Sequence, residues 1–367
     1  MKWGVHAPDV LPLWVADLDL APPDFVKEGL HRLIDGDDLG YTNIPPDFRK
    51  SVASWYQRRH HAHVTEEMVV ALPGVVPGIY AFFLALGERG KNFLTHTPVY
   101  PYFLNGGRTA AMACVQVPLK CDDRLYAIDF DAMEKAATPD TRALLLCNPH
   151  NPSGRNFGLE ELSRVLEFAK RRNLMVCSDE IWADWLLDGK PFIPFFELGD
   201  EAARRTVVLG AATKTFNIPG LTAAWAIIPN AELREKFRQT ILGLLPSANY
   251  LGLRATTWVQ EQGEAWFDSA RRLVIENRRF AEGFIADRFP QVAVTRSEAT
   301  YLMWLDFRET PFAKQPAGEL LRRARVALSE GALFGAGGEG FARINLGTSR
   351  ETLADALERI AKALHGA

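Results

Sequence analysis

The sequence is poor in cysteine. It has four in 367 residues, Cys114, Cys121, Cys147 and Cys177, and no two of them form a Cys-x-x-Cys pair. Cys147 and Cys177 sit inside apolar runs and read as small core residues. The chain also lacks a strong excess of either charge. A net charge of −3 leaves no electrostatic case for nucleic acid or an anionic membrane as partner. No apolar run approaches the roughly 18–20 residues of a membrane helix. The opening MKWGVHAPDV has no apolar signal-peptide core. Low-complexity tracts, repeats and Pro/Ser linkers are missing too. These gaps, with a 47% hydrophobic content sufficient for a sizeable core, predict a soluble cytoplasmic protein of about two closely joined domains.

Along the chain, short apolar strands alternate with helices. Val69–Leu72, Phe93–His96, Ala143–Cys147, Leu174–Cys177, Val207–Ala212 and Ala224–Ile228 read as strands. Phe48–Arg59, Ile79–Leu86 and Leu159–Arg171 read as helices. That alternation predicts an α/β fold, a mostly parallel sheet covered by helices on both faces. From about Leu251 the pattern changes. A long helical region to about Ile285 is interrupted by Gly263, and shorter strands follow at Val292–Thr295, Tyr301–Phe307 and Ala342–Leu346. The expected division is a large domain, 40–250, and a small α+β domain built from both termini, 1–39 and 251–367.

Two motifs are set aside. His60, His61 and His63 match no zinc spacing and read as a solvated helix end, so no metal site is expected. Gly335–Gly340 matches G-x-G-x-x-G literally but precedes a strand and opens no helix. It reads as a flexible turn, not a dinucleotide loop.

Val207–Trp225, VVLGAATKTFNIPGLTAAW, carries the main chemical signal. Lys214 follows a buried strand end, where desolvation disfavours its ammonium form. A partly neutral lysine can form a Schiff base with a carbonyl. A solvated surface charge is the other reading of that segment alone. Pro73–Gly78 leads into a helix whose free amides suit a phosphate, or is an ordinary strand–helix turn. Tyr100 lies in an aromatic run at a strand's carboxyl end, where ligands bind in open α/β sheets, or is simply buried. Asn151, Asp179 and Lys214 all follow strands and fall on one rim. A lysine, an acid, an amide, an aromatic and a phosphate-type helix start are the set that pyridoxal phosphate needs.

On these residues the chain resembles the fold-type I pyridoxal-phosphate enzymes of the aminotransferase class I/II superfamily, and within it the cystathionine β-lyase (C–S lyase) branch. The resemblance is carried by Leu11-Pro12-Leu13-Trp14-Val15-Ala16-Asp17, Gly40-Tyr41-Thr42, CNPHNPSGR at 147–155, SDEI at 178–181, KTFNIPGL at 214–221 and FARINLGTSR at 341–350. It implies an aspartate aminotransferase-like large domain and a set of roles. Lys214 would carry the cofactor and move the Cα proton. Asp179 would pair with the ring nitrogen, Asn151 would bond the 3-oxygen, and Tyr100 would stack on the ring. Val75 and Val76 would give amides to the phosphate, with Thr213. Tyr41 would reach the phosphate of a neighbouring subunit, which implies a homodimer. Arg343 would clamp the carboxylate of a small amino-acid substrate, beside Asn151 and Ala16.

Three residues depart from that pattern. Trp182 stands near the 3-oxygen, where relatives carry tyrosine or histidine. Ala211 stands in place of a phosphate-binding serine, and Thr222 in place of an arginine. The expected reaction is β-elimination from cystathionine or an L-cysteine S-conjugate. Transamination of an L-amino acid shares the same early residues and stays open. A non-catalytic amino-acid sensor is the reading of a different class.

Overall fold

A computed structural model describes residues 2–36 and 40–366. Seven strands form the main sheet: β1 (Val69–Leu72), β2 (Asn92–Thr97), β3 (Ala113–Pro118), β4 (Thr141–Cys147), β5 (Met175–Asp179), β6 (Thr206–Gly210) and β7 (Ala224–Ile227). Their order is β1-β7-β6-β5-β4-β2-β3. β7 alone runs against its neighbours, so the other six point the same way. The residues explain the burial on both faces. Along β4, Leu144 and Leu146 face one helical layer with Val176, whereas Leu145 and Cys147 face the other with Cys177, Val207 and Leu209. The sequence therefore runs apolar without a polar alternate.

The helix α3 (Val75–Leu86) covers one face. The helices α1 (Asp24–Asp35) and α2 (Pro46–His60) precede it, and α4 (Leu159–Arg171) covers the other face. Phe82 and Phe83 of α3 are fully buried, worth about 2–3 kcal/mol each. At Gly78 the helix comes so near the sheet that a Cβ would lie 2.9 Å from methyls of Leu72 and Leu209. A larger residue there would push α3, and the amides at its start, off the sheet.

A second sheet, β8 (Ala293–Val294), β9 (Leu302–Asp306), β10 (Ser329–Glu330) and β11 (Phe341–Asn345), has the order β8-β9-β11-β10. Leu11–Pro12 pairs with Val326–Ala327 beside it. The helices α5 (Tyr250–Gln262) and α6 (Glu264–Arg288) meet at Gly263. α6, about 37 Å long at 1.5 Å per residue, contributes Phe267, Ala270 and Val274 to the core beside the main sheet and Ala281 and Ile285 to the core of the small one. α6 therefore packs on both bodies. The expected boundary at 39/40 borders residues 37–39, which lie outside the described residues. Among the described residues, no helix is long and apolar enough to cross a membrane.

Candidate active site

A cavity of about 610 Å³ opens where β1, β2, β4, β5 and β6 end. Its charged lining residues are Asp179, Lys214 and Arg343. This is the carboxyl edge of the parallel strands, where backbone ends and helix starts leave polar groups free.

Lys214 follows β6 on a single helical turn, Ala212–Thr215. Its Nζ donates to the Ala16 carbonyl at 2.6 Å, and its own carbonyl accepts from the Trp185 indole at 2.8 Å. Burial lowers the Lys214 pKa to about 8; Asp17 and Asp179 oppose that shift, and Arg343 adds to it. Lys214 is thus a cation close to losing its proton. Asp179 ends β5, and its Oδ1 accepts from the Ile181 amide at 3.1 Å. Burial pushes its pKa up to about 7, against the pull of that amide and of Lys214.

Arg343 projects from β11. It donates to Asn151 Oδ1 at 2.9 Å, the Trp14 carbonyl at 3.1 Å and Ser329 Oγ at 3.3 Å, all neutral. Its Nε is buried with no partner among the described residues. The guanidinium lies 5.0 Å from the Phe334 ring. A buried charge with neutral partners only is expensive to keep, which makes it a receptor for an incoming anion.

Most of the other expected residues line the same space. Asn151 joins the cavity from the loop after β4, and its carbonyl accepts from the Tyr100 amide at 3.1 Å. Tyr100 lines the wall, with its hydroxyl pKa raised to about 12 by burial. Val75 and Val76 open α3 after Gly74, so first-turn amides face the cavity end without helical partners. Thr213 lines the same end. Trp182 is buried and sets its ring edge-on to Tyr301 at 4.8 Å. Ala16 lines the cavity, and its carbonyl accepts from the Tyr301 hydroxyl at 3.0 Å as well as from Lys214. Tyr41 is fully exposed and stands outside the cavity of its own chain. Thr222, at φ 45°, holds a left-handed conformation that a β-branched residue rarely adopts.

One expectation is corrected. His60 is not solvated: its side chain is 5% exposed and its Nε2 lies 3.2 Å from Asp184 Oδ1. Asp184 in turn accepts from Thr215, next to Lys214, at 2.7 Å and from Trp55 at 3.1 Å. A buried carboxylate draws that histidine inward, while His61 and His63 stay exposed.

Sequence reasoning gave no role to Trp14, Asn217, Tyr301, Ser329 or Asn345. They hold a strap, residues 14–20, over the site. Asn217 donates to the Leu18 and Leu20 carbonyls at 2.9 and 2.7 Å, and Asn345 donates to Val15 and Asp17 at 2.7 and 2.6 Å. Asn217 stands in the KTFN run and Asn345 in the RINL run, so the motifs were visible but their targets were not.

The residues present fit pyridoxal phosphate. Asp179 is a buried carboxylate with no ion-pair partner among the described residues, ready for a protonated ring nitrogen. The α3 amides and Thr213 suit a phosphate, and Lys214 is a desolvated amine lining the same cavity.

Residues 8–360 match the model of the family described as aminotransferase class I and II. The cystathionine beta-lyase PatB of Bacillus subtilis (strain 168) is 35% identical over 359 residues, 97% of this chain and 93% of that protein. The aspartate aminotransferase of Pyrococcus horikoshii is 25% identical over 98% of this chain and 91% of its own. The crystal structure of cystalysin from Treponema denticola, which contains a pyridoxal 5′-phosphate cofactor, superposes with a TM-score of 0.95 at 30% identity, covering 100% of this chain and 95% of that one. The cavity, its unpaired charges and these near full-length likenesses lead to one assignment: the chain belongs to the aminotransferase class I and II family.

Proposed function

We propose that this protein is a pyridoxal-phosphate-dependent C–S lyase that cleaves cystathionine or L-cysteine S-conjugates by β-elimination. One observation carries the amino-acid chemistry: Asp179, Lys214 and Arg343 surround a single cavity, each short of a charged partner. The likeness to PatB supports elimination.

When bound, pyridoxal phosphate supplies an electron sink for the charge left at the substrate Cα. Asp179 would hold the ring nitrogen protonated, Tyr100 would cover the ring, and Asn151 and Trp182 would serve the 3-oxygen. Trp182 would donate and could not accept there. Val75, Val76 and Thr213 would hold the phosphate, and Tyr41 would reach it from a second copy of the chain in a homodimer. Arg343 and Asn151 orient the substrate carboxylate beside Ala16. Lys214 in its neutral form takes the Cα proton, and the Ala16 carbonyl aims its Nζ. The Cβ–S bond then breaks with its electron pair on sulfur, and the thiolate takes a proton. One water is consumed, and pyruvate and ammonium leave with the thiol. The proposal includes a cytoplasmic site of action and the division of the chain into residues 40–250 around the cofactor and 1–39 with 251–367 around the substrate carboxylate.

Purified enzyme given cystathionine and S-alkyl-L-cysteines should release pyruvate and thiol together. Absence of both would sink the proposal. The aminotransferase relative supports a second reading. Under it, amino acids without a β-leaving group would convert the cofactor stoichiometrically to its amine form, and pyruvate from cystathionine would be absent.

A further inference from the structure

The cavity is charged at its floor and apolar at its mouth. Its three charged lining residues are accounted for by the proposed function, on which the substrate class inferred here rests: Asp179 and Lys214 face the cofactor, and Arg343 the α-carboxylate. Among the described lining residues, those around Arg343 on the outer side are uncharged. Phe334 lies beneath the guanidinium, Trp14 lends it a carbonyl, and Leu333 and Tyr102 form the rim, 62% and 50% exposed. Tyr100 and Tyr102, which line the same cavity, set their rings 5.3 Å apart. The polar groups on this outer part are neutral: the Tyr100 and Tyr102 hydroxyls, the Trp14 indole N–H and Ser329, whose hydroxyl already donates to the Trp14 carbonyl at 2.8 Å.

The two substrate types in the proposed function differ in the group they bring here. Cystathionine carries a second ammonium and a second carboxylate at its far end. Both would leave water against aromatic and aliphatic walls that offer no opposite charge among the described lining residues, a costly transfer. A cysteine S-conjugate of a benzyl or long alkyl thiol brings apolar area instead, worth about 25 cal/mol per Å² removed from water. Tyr41, the residue proposed to reach across from a second copy, is uncharged as well.

We propose that the substrate class of this enzyme is L-cysteine S-conjugates with an uncharged aromatic or alkyl group on sulfur, and that Phe334, Leu333, Tyr102 and Trp14 form the pocket that selects it over cystathionine. The reaction is that of the proposed function: proton lost from Cα, Cβ–S broken with its pair to sulfur, one water taken up, and thiol, pyruvate and ammonium released.

The test uses the holoenzyme with S-benzyl-L-cysteine and L-cystathionine. Both release an alkyl thiolate of similar basicity, so the comparison reads binding of the group and not leaving-group strength. The expected kcat/KM is about tenfold or more higher for S-benzyl-L-cysteine. Leu333→Arg, at an exposed rim position that leaves the core intact, should shrink that ratio at least severalfold by giving the distal carboxylate a partner. Binding of α-methyl analogues of both compounds, which lack the Cα proton and cannot react, should show the same order by calorimetry. Cystathionine turned over as well as or better than S-benzyl-L-cysteine overturns the pocket assignment and leaves the lyase reading standing. Pyruvate from neither compound overturns the lyase reading, and the α-methyl analogues then decide the pocket: equal or tighter binding of the cystathionine analogue overturns it too.

Discussion

Two arginines, Arg155 and Arg343, are equally buried at 6% exposure and differ in every other respect. Arg155, in the loop after β4, is closed off by acids. It donates to Glu161 at the start of α4 at 2.7 Å, to Glu298 of the small body, and to the Tyr126 carbonyl at 2.5 Å. Glu298 also takes Lys190 and the Asn156 amide. Arg343 has an amide oxygen, a carbonyl and a hydroxyl. The first is a knot that joins elements; the second is a valence left open toward a cavity. Burial alone therefore does not mark a functional charge. The state of its partners does.

The largest effect should come from Lys214→Ala, the centre of the open cluster. Turnover should fall about 10³- to 10⁴-fold, and the visible absorbance of the lysine-linked cofactor should vanish. A persisting band would refute the role of Lys214.

The arginines should then part in opposite directions. Arg155→Met takes the cation from Glu161 and leaves buried Glu298 with Lys190 alone, and should cost about 3 kcal/mol of stability, read as a lower Tm, with KM of the folded enzyme nearly unchanged. Arg343→Met should leave Tm equal or higher while kcat/KM drops about 10²- to 10³-fold, the weight of a lost buried carboxylate contact. If Arg343→Met lowers Tm as Arg155→Met does, the contrast is broken.

Asp179 sharpens the same point through pH. Its folded pKa of about 7 exceeds the ordinary 3.8, so the folded protein binds more protons than the unfolded chain between those values. Stability from this group is therefore lost as pH rises from about 4 to about 7, and stays lost above. Cofactor-free Asp179→Asn should be more stable than the parent at pH 8, by up to roughly 4 kcal/mol, and no different near pH 3. Taking the difference removes the contributions of Glu180, His96 and His150, which are also buried. Added pyridoxal phosphate should erase most of it.

The smallest effect is expected at Ala211→Ser, which adds a hydroxyl to the cavity wall beside Thr213. Cofactor affinity should rise about two- to tenfold, one ordinary hydrogen bond, measured by fluorescence titration.

Much of the fold and part of the site are legible from the chain. Val69–Leu72 and Leu159–Arg171 have the expected bounds because apolar period and turn residues agree there. Lys214 and Asp179 could be read because each directly follows an apolar run, so strand ends announce them. The edge strand β3 was hidden: Ala113–Pro118 is partly exposed and mixes Gln116 with apolar residues. The apolar run places the helix from Ile79, with Pro77 suited to a first turn, and the helix in fact begins at Val75, so residues 75–78 are that first turn. The environment of Arg343 could not be read at all. Its partner Trp14 lies 329 residues away, and Asn151 192. Local pattern carries no information on contacts of that separation, and the same holds for His60 and Asp184.

The strap over the site has a consequence for how the molecule is made. Residues 11–20 leave the ribosome early, but their partners are Asn217, Tyr301, Val326–Ala327 and Asn345. Their Ala16 carbonyl cannot meet Lys214 and Tyr301 together until some three hundred residues have followed. Contacts of such long sequence separation form late. The main sheet can assemble as it emerges, with Lys214 uncovered and its amine still in water. Closure of the strap then sets the Ala16 carbonyl against the Lys214 amine, so this covering of the lysine is a contact the nascent chain can acquire only late.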